Sequence, residues 1–238
     1  MDNISDVVQK IRADKRYRPL TDDEFEKAVQ ENYRKLEEQE RQNFRIDYSV
    51  FGIHESEKDL DWSAVKPGIS DGMKAMQAVR PAYQQGWGMV FLWGTWGQAK
   101  TLVGKILTAT AIRDGKKAAY ANMSNVLDDI RLAFDEKEHK ATELIRRMDW
   151  WIKRDVLFID ELDKSNDTQW AQERLFQLLD QRYARAVREE ALTVIASNKS
   201  DDDLDGYIKS RLNDNRLGPV VYLNGPDGRK YMQNGYKF

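Results

Sequence analysis

Apolar residues along the chain gather into five short runs, separated by longer stretches in which they recur every three or four positions. The runs Met89–Trp93, Ala118–Asn122, Val156–Ile159, Leu192–Ala196 and Val220–Leu223 have strand length and little polar alternation, the pattern of strands buried on both faces. Helical spacing fills the gaps. It predicts a helix from Ile69 to Gln85, with Pro81 as a kink or late break, and one from the end of the first run's loop to about Asp114. Ser124 opens a helix through Phe134, and Lys137 to Met148 form another. A helix from about Thr168 to Ala186 carries Trp170, Leu175, Leu178, Leu179 and Tyr183 at helical spacing, which reads as core, and a last helix includes Ile208 and Leu212. Strands alternating with helices predict an α/β domain: a parallel sheet with helices on both faces.

The first 45 residues differ in texture. They are charge-rich, and Thr21-Asp22-Asp23-Glu24 is a capping box that opens a helix to about Gln42, with Phe25, Val29, Tyr33 and Leu36 along one side. A shorter helix, Ile4 to Ala13, precedes it across Pro19. Such a stripe suits a hairpin packed on the domain surface and a partner-docking arm equally well. Residues 46–68, with Gly52, Pro67 and Gly68 as breakers, read as an extended connector, and residues 69–238 as the α/β core.

Chemistry enters at Gly94-Thr95-Trp96-Gly97-Gln98-Ala99-Lys100-Thr101. A buried strand, a glycine-containing loop, Lys-Thr and a helix describe a phosphate-binding loop. Loop N–H groups and the helix N-terminus present partial positive charge to phosphate oxygens. Lys100 reaches the β- and γ-phosphates, and the Thr101 hydroxyl holds Mg²⁺. Residues Gly94 to Thr101, with Leu102 at the start of the helix, are therefore the expected ATP-binding set. The residue before the lysine is usually Gly; Ala99 places a methyl group where the backbone favours none.

About 60 positions after Lys100, the run Val156–Ile159 ends in Asp160-Glu161. In P-loop ATPases this order of motifs puts one carboxylate on Mg²⁺, here Asp160, and the next against the attacking water, here Glu161. Asn198, at the end of the following strand, is placed to orient that water. Arg211, on the helix after it, suits an arginine finger that enters a neighbouring subunit's site if subunits stack.

Composition limits the partners. The chain has 238 residues, 41% hydrophobic and 33% charged, which suits one α/β domain with a small appendage. Its net charge of -2 argues against broad coating of DNA, so any nucleic-acid contact must be a local patch. Arg131, Phe134, Lys137 and Lys140 combine cationic and aromatic groups in one such segment, suited to single-stranded DNA and also compatible with an ordinary solvated face. With 0 Cys, no apolar run near the ~20 residues a membrane span requires and no signal pattern, a cytoplasmic protein is expected.

The sequence resembles the AAA+ ATPases of the DnaC/DnaI helicase-loader and IstB transposition-helper group. The matching text is Gly94–Thr101, Ser124–Phe134, Val156–Glu161, Arg174–Tyr183, Thr193–Ser197 with Asn198, and Ser210-Arg211-Leu212, spanning about residues 65 to 230. The resemblance implies a P-loop core without a C-terminal lid domain, ATP-dependent homo-oligomeric spirals with ATP at the interfaces, and single-stranded DNA along the segment after the second strand. It also implies docking of a replicative helicase by the N-terminal arm. Lys100, Asp160, Glu161, Asn198 and Arg211 are its catalytic set. Two departures stand out: Ala99, and the absence of cysteines for an N-terminal zinc cluster. A helicase loader is the expected function; the alternatives are an IstB-like helper on double-stranded target DNA and a non-catalytic nucleotide-binding scaffold.

Overall fold

A computed structural model describes residues 47–134, 140–164 and 168–231. Residues 1–45, Lys137 and the capping box lie outside these. The five apolar runs are five strands: β1 (Gly88–Gly94), β2 (Ala118–Asn122), β3 (Val156–Asp160), β4 (Leu192–Ser197) and β5 (Val220–Leu223). All neighbours pair in parallel, in the order β2-β3-β4-β1-β5. Every residue of β3 and β4 is buried, and β1 is buried except at Trp93. Burial on both faces explains why their sequence shows no alternation. In register, Trp93 stands beside Ser197, Gly94 beside Leu223 and Asn122 beside Asp160. The C-terminal ends of the strands thus share one edge, where open parallel sheets bind ligands.

Among the described residues six helices accompany the sheet: α1 (Gly72–Gln85), α2 (Lys100–Arg113), α3 (Met123–Arg131), α4 (Lys140–Ile152), α5 (Gln169–Val187) and α6 (Gly206–Leu212). Helix α2 is buried over most of its circumference, because it crosses β3 closely at Gly104. A Cβ at Gly104 would lie 2.5 Å from the Phe158 ring. Helix α1 begins at Gly72 and continues through Pro81 to a left-handed Gly86 cap; the ring removes one N–H near the end of the helix without stopping it. Ser124 lies inside α3, whose N-cap is Asn122, and a 3-10 turn carries Leu132–Phe134. Among the described residues, β5 is followed by a single 3-10 turn, Gly228–Tyr231, with no helical lid.

Residues 47–71 differ from the extended connector that their breakers predict. They form three 3-10 turns, Tyr48–Phe51, Glu55–Glu57 and Trp62–Ala64, laid along the core. Ile53 and Val65 are buried, Glu57 pairs with Lys105 at 2.5 Å, and Arg113 donates to the carbonyls of Lys58 and Leu60. Isolated apolar anchors between breakers have no periodicity, so the pattern gives no sign of this packing.

Helix α5 holds the matching stretch Arg174–Tyr183. Leu178 and Leu179 are buried, and so is Arg182, at 0% exposure. Its guanidinium donates to Thr193 Oγ1 (2.8 Å) and to the carbonyls of Leu192 (2.6 Å), Ile152 (2.8 Å) and Arg154. It is a structural bolt joining α5, β4 and the segment between α4 and β3.

Candidate nucleotide-binding site

The loop between β1 and α2 takes its shape from three left-handed or glycine-type conformations: Gly94 (φ 140°), Gly97 (φ 77°) and Ala99 (φ 59°, ψ 19°). Ala99 holds the conformation that glycine adopts without strain. Its methyl group lies against Gly72 at the start of α1, where a Cβ at position 72 would sit 3.0 Å away. The departure at Ala99 is thus met by a glycine on the neighbouring helix.

The loop is clamped from behind. Gln98, 1% exposed, donates to the carbonyls of Gly225 (2.7 Å) and Pro226 (3.2 Å) and accepts from the Asp71 N–H (3.1 Å). Asp71 accepts in turn from Asn224 and Gly225, and the Gly228 N–H donates to the Gly97 carbonyl. Among the described residues, the N–H groups of Trp96, Gly97, Gln98 and Ala99 donate to no protein acceptor. The first turn of α2 adds its own unpartnered donors. Such a row of oriented donors is an anion cradle.

Lys100 is 7% exposed, and its Nζ donates to the carbonyls of Gly94 (2.7 Å) and Thr95 (2.9 Å). Burial lowers its pKa, with Asp160 and Asp163 acting in the opposite sense. Thr101 Oγ1 donates to Asp160 Oδ2 at 2.7 Å. Asp160 Oδ2 also accepts from the Tyr120 hydroxyl (2.8 Å), and Oδ1 from the Glu161 N–H (2.9 Å). Glu161, at φ 52°, turns sharply out of β3, and its carboxylate accepts from Asn122 Nδ2 (3.1 Å) and Lys164 Nζ (2.5 Å). Asn198 donates through its backbone N–H to Asp163 Oδ1 (2.8 Å) and through Nδ2 to both oxygens. Burial pushes the Asp163 carboxyl up, but hydrogen bonds from Asn198, its own backbone and Ser197 together outweigh it and hold the pKa below its ordinary value.

These groups meet in one cavity of about 430 Å³. Residues Trp96 to Leu102, Asp160, Glu161 and Asn198 line it; Gly94 and Thr95 lie beneath, their carbonyls holding Lys100. Ser70, Gly228 and Arg229 complete the wall. The Thr101 hydroxyl and Asp160 carboxylate are a hard-oxygen pair that suits Mg²⁺, which takes one or two protein ligands with waters and phosphate oxygens. Among the described residues no cluster of three or more His, Cys, Asp or Glu competes for a metal. Sequence reasoning missed Tyr120, Asn122, Asp163 and Arg229. Asn122 ends a predicted strand and Asp163 lies in the 3-10 turn just after the acidic strand end, where their position could have flagged them; Tyr120 and Arg229 carry no motif.

Other predicted residues fall elsewhere. Arg211 does not line the cavity. It donates from Nε (3.0 Å) and Nη2 (2.6 Å) to Asp180, between the rings of Tyr207 (3.7 Å) and Tyr183 (4.6 Å). Arg131 and Phe134 meet at Trp170: the guanidinium lies 5.0 Å from its ring centroid, and Phe134 packs edge-on at 6.0 Å. Phe134 is 45% and Leu132 51% exposed. Lys140 is exposed at the start of α4.

Together the parallel sheet, the clamped loop and the acidic strand end define an AAA+ P-loop ATPase. The chain belongs to the IstB-like ATP-binding protein family, whose model matches residues 22–217. No curated protein matches it. Among solved structures it is similar to the replication initiator DnaA bound to AMPPCP and single-stranded DNA (15% identity, TM-score 0.56, covering 68% of this chain and 49% of that one). It is similar to a putative primosome component from Streptococcus pyogenes serotype M3 (16%, 0.55, 76% and 98%). It is also similar to the DnaC helicase loader (16%, 0.50, 71% and 99%). The chain spans about half the length of the DnaA chain it matches. No described helix is long and apolar enough to cross a membrane.

Proposed function

We propose that this ATPase loads a replicative helicase onto single-stranded DNA. The observation that carries the catalytic part is the convergence of Lys100, Thr101, Asp160, Glu161 and Asn198 on one cavity, beside loop N–H groups (Trp96 to Ala99) that have no protein acceptor among the described residues. ATP enters with its phosphates on the loop; Lys100 leaves the Gly94 and Thr95 carbonyls to pair with them. Thr101 and Asp160 would hold Mg²⁺, which would supply positive charge against the phosphates. Asn198, pinned by Asp163, orients the attacking water, and Glu161 accepts its proton once released from Asn122 and Lys164. Arg211, outside its own cavity, serves the site of the next protomer in an ATP-dependent spiral.

The loader reading is supported by the likeness in fold to the DnaC helicase loader along nearly all of that chain, and by the exposed Arg131–Phe134–Trp170 patch. That patch suits backbone neutralisation and base stacking; Lys140, exposed at the start of α4, adds a cation, and Lys137 is a further candidate by its place in the sequence. The arm of residues 1–45 docks the helicase, and residues 69–238 act as the ATPase core. Family membership favours a second reading, in which the protein marks double-stranded DNA for a transposase. A pull-down with a hexameric replicative helicase, with and without ATP, separates the two. Capture that needs ATP and disappears in Lys100→Ala supports loading; no capture together with tighter binding to duplex than to single strands refutes it in favour of the second reading.

A further inference from the structure

Tyr120 has no place in the phosphate-loop or acidic-strand motifs, yet it touches the carboxylate at their junction. It lies on β2 beside Phe158, two residues before Asn122. Asp160 is 3% exposed and accepts from three donors: the Tyr120 hydroxyl and Thr101 Oγ1 on Oδ2, and the Glu161 N–H on Oδ1. The Glu161 N–H fixes one oxygen, and the phenol bonds the other, the same Oδ2 that accepts from Thr101.

The phenol is itself held. Its ring stacks on Phe158 with centroids 5.6 Å apart and planes at 16°. Gly52, at φ 76°, backs directly onto the Tyr120 carbonyl and ring edge, where any Cβ would collide. Lys105, fixed by Glu57, stands 5.8 Å from the ring centroid.

We propose that Tyr120 is a positioning residue for the metal–nucleotide site, its hydroxyl presetting Asp160 so that its carboxylate and the Thr101 hydroxyl face one ligand position, with residues 47–71 bracing the ring. The inference rests on the reading of Thr101 and Asp160 as the Mg²⁺-holding pair.

The test is Tyr120→Phe in the full chain, which keeps the stacked ring and removes only the donor. Binding of a fluorescent ATP analogue is titrated with Mg²⁺ and repeated in EDTA. Loss of a hydrogen bond to a metal-holding group weakens metal affinity by about tenfold or more. The Mg²⁺ concentration for half-maximal enhancement of binding should therefore rise about tenfold, while affinity in EDTA stays within about twofold of wild type. An unchanged Mg²⁺ dependence overturns the inference, as does an equal loss in EDTA. The same substitution is also made in an Asp160→Asn background, where it should add no further weakening; an additive effect means that Tyr120 acts through general structure instead. If wild-type binding ignores Mg²⁺, the reading of Thr101 and Asp160 fails, and this inference fails with it.

Discussion

Two non-glycine residues in the left-handed region flank the chemistry: Ala99 before the lysine and Glu161 after the aspartate. Each is held there by its surroundings, Ala99 by the Gln98 clamp and the abutting Gly72, and Glu161 by its N–H bond to Asp160 and its carboxylate bonds to Asn122 and Lys164. Left-handed backbone at a residue with a Cβ costs roughly 1–2 kcal/mol. Glycine relieves that strain but adds unfolded-state freedom, so Ala99→Gly should stabilise the protein by a net amount of about 0.5–1 kcal/mol. Calorimetry should show a midpoint about 1–4 °C higher, with ATP affinity retained or improved. A lower midpoint would mean that the methyl contact at Gly72 outweighs the backbone strain. The sequence made Ala99 conspicuous by residue type alone; that its methyl meets a glycine 27 positions away was invisible in it.

At the scale of elements, the strands were legible because burial on both faces leaves an unmistakable apolar run, and all five lie within a residue or two of where the runs fall. The strap of residues 47–71 was not, because its buried anchors Ile53 and Val65 are isolated apolar residues with no periodicity around them. Arg182 is the sharper case. A helical arginine reads as a solvated residue, yet it is fully buried and supplies donors to Thr193 and to the carbonyls of Ile152, Arg154 and Leu192. Replacing it with alanine leaves buried acceptors unpaired at about 1–3 kcal/mol each. Arg182→Ala should therefore lose at least about 3 kcal/mol in urea unfolding, enough to lower its yield as folded protein. A loss under about 1 kcal/mol would show that water replaces the guanidinium without difficulty.

For the whole molecule, the telling feature is where Arg211 stands. Held by Asp180 between two tyrosines and absent from the wall of its own cavity, it is presented on a rigid support. Under the proposed assembly, Arg211→Ala should bind ATP with near-normal affinity and lose turnover, by about 10³-fold or more for a finger. Mixed with Lys100→Ala, also inactive, it should regain measurable hydrolysis, since each protomer supplies what its neighbour lacks. No recovery in oligomers verified to contain both variants would place Arg211 in a purely structural role.

The sequence by itself determined the fold class, the order of the strands along the chain, the phosphate loop and the acidic strand end, because each is a local pattern: a run of burial, a turn chemistry, a pair of adjacent carboxylates. Tertiary structure alone decided how those pieces meet. The insertion of β4 between β1 and β3 brings Asn198 to the cavity wall formed by the loop and Asp160. The turn after β5 clamps the loop through Gln98, and β2 aims Tyr120 and Asn122 at the two carboxylates. Those arrangements depend on strand order, register and contacts between distant residues, which the spacing of residues along one chain does not encode.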